Sequence, residues 1–301
     1  MPSLRMPPPD RLLFGMLFMC LASTLFPIMN GLVQVLSVRY PSEQIVWARC
    51  VAHLVVVLAL FAPRFGLVPL IRTTQLKWQV TRSLVLLMST CFAFVGFKYL
   101  PLAKAASISF IAPFIVTLLA WPMLGERISL ARLATVFVAF AGVVIVIRPG
   151  SDVFHWASLL ALGSATCYAV YQIVTRRVAG QDRPETSAVY SVLIGTLLMS
   201  LIVPFVWVPV QSLTDAFLLF SLGVFGGLGH YCVARAMTYG PANILSPFSY
   251  WQMVGSVVVG YFVSGKLPDT WTWIGAGIII SAGLYMGWRE TQAPRPSAAK
   301  V

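Results

Sequence analysis

Long apolar segments of about twenty residues alternate with short polar connections along nearly the whole sequence. Because a bilayer core about 30 Å thick requires about 20 apolar residues per helix, this pattern predicts membrane-spanning helices. Ten segments satisfy the requirement. The predicted spans comprise residues 12–34, 44–62, 79–97, 102–122, 130–147, 156–175, 187–207, 215–237, 241–262 and 271–288.

Short connections and two tails account for the remaining residues. Glycine and proline mark the connections, and residues 1–11 and 289–301 form the predicted tails. The first span follows Arg5 and Arg11, as the apolar part of a signal peptide would. Its apolar stretch is too long for that role, so we expect an uncleaved first helix.

The composition excludes a soluble globular domain and a disordered chain. Of the 301 residues, 58% are hydrophobic and 10% are charged, whereas about 25% are charged in soluble domains. A net charge of +12 on a soluble protein would suggest nucleic-acid binding. No basic run is interleaved with aromatic residues here, so we predict no nucleic-acid partner. The five cysteines lie in apolar segments without CxxC spacing, which predicts neither a disulfide nor a metal site.

The distribution of positive charge predicts the orientation in the membrane. If the N-terminus is cytoplasmic, thirteen Lys and Arg residues of the connections and tails lie inside and five lie outside. Cytoplasmic loops of membrane proteins carry such an excess. The sequence therefore predicts that both termini are cytoplasmic.

The two halves of the sequence resemble each other at a shift of 140 residues. The segment beginning Tyr99-Leu-Pro101 aligns with the segment beginning Tyr239-Gly-Pro241, and each half ends in a span rich in small residues. With five spans per half, the second copy must insert upside down. Inverted repeats of this kind form a central site at their interface and support alternating access.

These residues carry a family resemblance. Residues 97–150, with Tyr-x-Pro at 99–101 and Gly-Glu-Arg at 125–127, closely resemble the first EamA repeat of the drug/metabolite transporter superfamily. Residues 240–290 resemble the second repeat, although Lys266 replaces the usual Glu. The resemblance implies an all-α integral protein of the bacterial inner membrane, with ten transmembrane helices in two inverted five-helix repeats. Repeat 1 is predicted at 12–147 and repeat 2 at 156–288, joined by a linker at 148–155.

Ionisable residues inside predicted spans are the first candidates for function, because burying them in a bilayer is costly. All nine acidic residues fall in predicted connections or tails, whereas several basic residues fall within spans. Arg49 and His53 share one helical face, and His230 lies in the eighth span. Each could line a substrate cavity or serve packing instead. For Arg82 and Arg235, near helix ends, we predict that the side chains extend to lipid phosphates.

Aromatic residues, prolines and glycines add further candidates. Aromatic side chains near these polar groups or beside a proline could stack on a substrate or pack in the core; they are Tyr168, Tyr171, Tyr250 and Trp251. Three prolines could kink helices beside a cavity and act in gating; they are Pro27, Pro113 and Pro247. The GxxxG pairs at 223–227 and 283–287 predict close helix packing.

The sequence predicts a secondary transporter of a small organic metabolite, with the lipid bilayer and that metabolite as its partners. It has no nucleotide-binding GxxxxGK[ST] motif, and we predict no cofactor, metal or catalytic residue. Buried basic groups without carboxylates slightly favour export of an anionic, amino-acid-like compound, such as an amino-acid derivative or an opine-type metallophore. The resemblance also allows import of a vitamin such as riboflavin or of a nucleoside-like metabolite. A membrane scaffold and an intramembrane enzyme using Ser164 and His230 are more remote alternatives.

Overall fold

A computed structural model describes residues 9–124, 130–150, 154–178, 181–239 and 245–292. Helices account for the regular structure of these residues, which contain no β-strand. The helices are α1 (Pro9–Leu36), α2 (Ser42–Phe65), α3 (Leu67–Ile71), α4 (Leu76–Tyr99), α5 (Leu102–Ser109), α6 (Ala112–Leu124), α7 (Leu130–Ile147), α8 (Ala157–Val178), α9 (Pro184–Ile202), α10 (Leu213–Tyr239), α11 (Trp251–Ser264) and α12 (Thr270–Gln292).

Eight helical segments in the described residues are long and apolar enough to cross a membrane, and they match the first eight predicted spans. The predicted ninth span is divided: residues 241–244 lie outside the described residues, a 3₁₀ turn covers Ser246–Tyr250, and α11 has only 14 residues. The predicted tenth span is α12, whose glycines, tryptophans and tyrosine lower its hydropathy. The chain is therefore an all-helical, multi-pass membrane protein.

The fourth predicted span is interrupted. Helix α5 ends at Ser109, α6 begins at Ala112, and Pro113 is the second residue of α6. Proline lacks the amide hydrogen that would continue the hydrogen-bond ladder, so the break lies where Pro113 allows it. Pro27 lies inside α1, where its ring contacts the surface of Gly255, and Pro247 lies in the 3₁₀ turn before α11.

Helix packing interleaves the two halves of the chain. Helix α1 packs on α10 and α11, α4 packs on α8 and α9, α2 packs on α9 and α10, and α7 packs on α12. Each of these contacts joins a helix before residue 150 to one after it. When the halves are exchanged in chain order, the α1–α10 contact becomes the α8–α4 contact, and the α2–α10 contact becomes the α9–α4 contact. The packing therefore has an approximate twofold relation between the halves.

Small residues permit the closest of these contacts. In the α7–α12 pair, a Cβ atom added to Gly275 would lie 2.6 Å from the carbonyl oxygen of Gly142. Between α4 and α8, Ser164 Oγ donates to the carbonyl of Ser89 at 2.8 Å, and Ser89 Oγ donates to the carbonyl of Ser164 at 2.9 Å. These reciprocal bonds hold two buried helices together at the centre of the fold.

The acidic residues are closer to helices than the sequence indicated. We expected all nine in connections or tails, but five lie in terminal turns of helices: Asp10, Glu43, Glu185, Asp215 and Glu290. Asp182 and Asp269 lie between helices, and Glu126 and Asp152 lie outside the described residues. A carboxylate near a helix N-terminus interacts favourably with the helix dipole, which explains why Glu43, Glu185 and Asp215 lie there.

Candidate functional site

A run of glycines on α10 lets α2 approach closely at the centre of the protein. A Cβ atom added to Gly223 would lie 2.3 Å from the backbone nitrogen of His53. One added to Gly226 would lie 3.3 Å from Arg49 Nε, and one added to Gly227 would lie 3.2 Å from the His53 ring. The glycines therefore provide the space that the Arg49 and His53 side chains occupy.

Arg49, His53 and His230 form a compact basic cluster. Arg49 Nη2 lies 3.0 Å from His230 Nε2. Arginine has donors only, so His230 Nε2 must accept this bond and the ring proton must lie on Nδ1. The His53 and His230 rings stack with centroids 5.9 Å apart. Arg49 and His53 are 3% and 1% exposed, so neither side chain reaches solvent.

Three polar atoms of this cluster have no hydrogen-bond partner: Arg49 Nε, His53 Nδ1 and His53 Nε2. No carboxylate among the described residues lies within ion-pair distance of Arg49. Leaving a buried polar group unsatisfied costs about 1–3 kcal/mol, and more for a charged group. The cluster therefore offers unused donors, and one unused acceptor on His53, to a bound molecule. It is not a metal centre, since no group of metal-ligating side chains occurs among the described residues.

Aromatic rings extend the cluster toward α8. The Tyr171 ring meets the His230 ring edge to face at 6.5 Å, and Tyr168 stacks on Tyr171 at 5.6 Å. Phe26 of α1 contacts His230 from another side, with centroids 5.2 Å apart. These rings present flat apolar surfaces beside unpaired donors, an arrangement suited to a ligand with a ring and polar atoms at its edge.

Five of the seven predicted binding residues thus lie together, and two lie apart. Tyr250 is buried against Phe110 and against Gly283, where an added Cβ atom would overlap the Tyr250 hydroxyl. Trp251 is 50% exposed and donates from Nε1 to Thr24 of α1 at 3.1 Å. Both residues adjoin the turn that precedes α11, away from the basic cluster.

The prediction that Arg82 extends to lipid phosphates is wrong. Arg82 is 5% exposed and points into the protein. It donates to Thr175 Oγ1 at 2.7 Å, to the Ser187 carbonyl at 2.7 Å and to the Tyr171 hydroxyl at 2.9 Å. Depth along the helix indicated lipid, but the acceptors on α8 and α9 decide the direction. Arg235 contacts Tyr239 on its own helix, donating to the hydroxyl at 3.2 Å.

Sequence reasoning also omitted Phe26 and Gly226. Phe26 is one apolar residue among many on α1, so no local signal distinguishes it. Gly226 falls between the two glycines of the GxxxG pair, and its role follows only from its position opposite Arg49.

The whole chain can now be compared with known proteins. The EamA-like transporter family matches residues 13–148 and 155–287. The chain belongs to the EamA-like transporter family. This membership excludes the intramembrane-enzyme alternative, and Ser164 instead has the structural role in the α4–α8 contact described above. A membrane transporter implies the lipid bilayer and a small-molecule substrate as partners.

Three curated relatives show the range of transport within this family. A riboflavin transporter of Vibrio cholerae is 27% identical and covers 93% of this chain and 95% of its own. An S-adenosylmethionine uptake transporter of Rickettsia bellii is 26% identical over 74% of this chain and 76% of its own. The pseudopaline exporter CntI of Pseudomonas aeruginosa is 27% identical over 91% of this chain and 95% of its own. This chain is similar to relatives named for uptake and for export.

Proposed function

We propose that this chain is a secondary transporter that works by alternating access in a bacterial inner membrane. Its ten transmembrane helices form two five-helix repeats, residues 12–147 and 156–288, that insert in opposite directions with both termini in the cytoplasm. The interleaved packing of the halves, with contacts that exchange in pairs, supports this arrangement. Rocking one repeat against the other would expose the interface to each side in turn.

The substrate site in this proposal is the cluster of Arg49, His53 and His230 with the rings of Tyr168 and Tyr171. The observation that carries it is the set of three buried polar atoms without partners, on Arg49 and His53. A substrate with acceptor atoms would satisfy the Arg49 and His53 donors, while its ring packs on the tyrosines. Because Arg49 and His53 lie near the middle of α2, about 10 Å and 16 Å from its start, the site is central in the membrane.

A planar heteroaromatic metabolite with carbonyl acceptors fits this combination best. Riboflavin is the first compound to test, since relatives named riboflavin transporters align over nearly the whole chain. In this form the chain takes up its substrate. A second candidate is export of a carboxylate-bearing, amino-acid-like metabolite. It is favoured by the buried guanidinium of Arg49, which lacks a counter-charge, and by the similarity to the pseudopaline exporter.

The test uses a riboflavin-auxotrophic bacterium that lacks its own riboflavin transporter. Cells expressing the chain should grow on low riboflavin and accumulate labelled riboflavin, and the Arg49→Ala/His53→Ala double variant should not. Arg64→Ala is the matched control, because it removes an exposed charge from the same helix. Expression of each variant is checked in isolated membranes.

Mass spectrometry of cells and medium separates the two candidates. No riboflavin accumulation, together with an organic acid that leaves only cells with the intact site, would replace the first candidate with the second. Unimpaired transport by the double variant would defeat the site assignment for either substrate.

A further inference from the structure

Arg82 joins three helices from the two halves of the chain. Its guanidinium on α4 reaches Thr175 and Tyr171 on α8 and the Ser187 carbonyl on α9. A fourth contact is within α4, to Gln79 Oε1 at 3.3 Å. Arginine keeps its charge at any relevant pH, and a buried charge is tolerated only where its donors are satisfied. The position of Arg82 therefore depends on α8 and α9 remaining close to α4.

Gln79 extends this set of bonds to a carboxylate. Its Nε2 donates to Asp182 Oδ2 at 2.9 Å and to Ser187 Oγ at 3.0 Å. Asp182 lies between α8 and α9 and also accepts bonds from Thr73 and Thr74, which precede α4. Burial would raise the pKa of Asp182, but the bonds from Gln79, Thr73 and Thr74 outweigh it and hold the pKa below its ordinary value. Asp182 is therefore ionised at neutral pH. We call Thr73, Thr74, Gln79, Arg82 and Asp182 the Asp182 network.

A second polar cluster joins the halves at the opposite end of α9. Asp215 accepts a bond from the Tyr40 hydroxyl at 2.8 Å and pairs with Arg39 at 3.2 Å. Nearby, the Gln44 side chain donates to the Val208 carbonyl at 2.8 Å. Asp182 precedes the first residue of α9, whereas Val208 and Asp215 follow its last. Both ends are therefore closed by bonds across the interface, with the buried cluster between them.

The Asp182 network touches the candidate substrate site through one hydroxyl. Arg82 Nη2 donates to Tyr171 Oη at 2.9 Å, and the Arg82 guanidinium carbon lies 4.9 Å from the centre of that ring. The other contacts of the Tyr171 ring are with His230 and Tyr168. A molecule that displaces Tyr171 must therefore strain or break its bond to Arg82.

We propose that Arg82 is a positioning residue that couples the substrate site, through Tyr171, to a gate formed by the Asp182 network. The intact network keeps this end of the interface closed. Displacement of Tyr171 by substrate weakens the network and lets α4 separate from α8 and α9. This inference rests on the transport cycle proposed above, and it adds which bonds must break for one side to open.

The test measures the opening of each end by double electron–electron resonance in reconstituted protein with its five native cysteines replaced by serine. One spin-label pair is placed at Leu76 and Gln181, which are exposed beside the Asp182 network. The other pair is placed at Val38 and Leu213, which are exposed at the opposite end. Asp182→Asn should raise the open-to-closed ratio of the first pair at least about fivefold and leave the second pair unchanged.

Two further variants test the coupling itself. Tyr171→Phe keeps the ring and removes only the hydroxyl, so it should also favour the open form of the first pair. Arg82→Lys keeps the charge but cannot reach α8 and α9 at once, so it should behave like Asp182→Asn. Rescue by lysine would show that charge alone matters and would overturn the proposal. Asp269→Asn, which removes a carboxylate remote from the network, should leave both distances unchanged.

The outcomes separate this inference from the proposed function. If the variants widen both pairs equally, or neither, while the wild-type protein samples an open form at this end, the gate assignment is wrong and transport is unaffected. If no condition produces a longer distance at either end, the alternating-access proposal itself fails and the coupling fails with it. If the variants open the first pair but riboflavin does not, the gate is supported and the riboflavin assignment fails.

Discussion

Replacing Gly223 with alanine tests the helix contact on which the candidate site depends. The added Cβ atom would lie 2.3 Å from Ala52 Cβ, 2.3 Å from His53 N and 2.4 Å from the Ala52 carbonyl carbon. Two of these atoms belong to the backbone of α2, so no side chain can rotate away. To restore ordinary contact, α2 and α10 must separate locally by about 1 Å.

The expected cost is that of overpacking a close-packed interior, about 1–3 kcal/mol. A protein of this size should then show an apparent melting temperature about 2–10 °C lower. The same displacement would stretch the 3.0 Å contact between Arg49 and His230 beyond hydrogen-bond distance. We therefore expect transport to fall by about tenfold or more, even at a temperature where the variant remains folded.

The measurement is thermal unfolding of purified protein in detergent, followed by transport in proteoliposomes. Gly277→Ala is the matched control, because a Cβ atom at that position of α12 would meet nothing within 4 Å. Alanine is also a better helix former than glycine, so the control should be neutral or slightly stabilised. If Gly223→Ala unfolds at the same temperature as Gly277→Ala and transports normally, the close α2–α10 contact does not exist in the functional protein.

Three other substitutions test separate features of the structure. Ser164→Ala should keep transport and lose about 0.5–1.5 kcal/mol of stability, measured by thermal unfolding, because it removes one bond between α4 and α8; an inactive but stable variant would contradict a purely structural role. Burial alone would raise the pKa of Asp269, but bonds from Thr272 and the charge of Arg148 outweigh it and keep that pKa below its ordinary value. Stability from a carboxylate with a depressed pKa is present above its unfolded pKa and is lost as the pH falls below about 4. Asp269→Asn should therefore lower the melting temperature at pH 7 and leave it unchanged at pH 3, and an equal loss at both would refute the ionic contribution. Trp251→Phe should leave the substrate concentration for half-maximal transport within about twofold, since the ring is half exposed away from the cluster; a large increase would place it in the substrate path.

The spans and one face of the site follow from local sequence. A helix long enough to cross the bilayer leaves a continuous apolar record, so the first eight spans were predicted correctly. Arg49 and His53 are four residues apart, and helix geometry alone places them on the same face. The division before α11 was not predicted, because an apolar segment has similar hydropathy whether it forms one helix or a 3₁₀ turn followed by a shorter helix.

The partners of these residues depend on how the helices are rotated against each other. His230 meets Arg49 because three glycines of α10 face α2, a relation between segments about 180 residues apart. Arg82 shows the same limit more clearly. Its depth suggested a lipid phosphate, and only the packing of α8 and α9 against α4 provides Thr175, Tyr171 and Ser187 as partners.

The glycine contact and the unpaired polar atoms belong to one physical arrangement. Glycine brings the backbones of α2 and α10 so close that Arg49 and His53 are enclosed without reaching water. Small residues at a helix interface also leave few interlocking side chains to hinder a change in helix spacing. A separation of about 1 Å breaks the Arg49–His230 contact and frees further donors. Binding and helix movement therefore act on the same contact, so a molecule that satisfies these donors must also change the balance between closed and open forms.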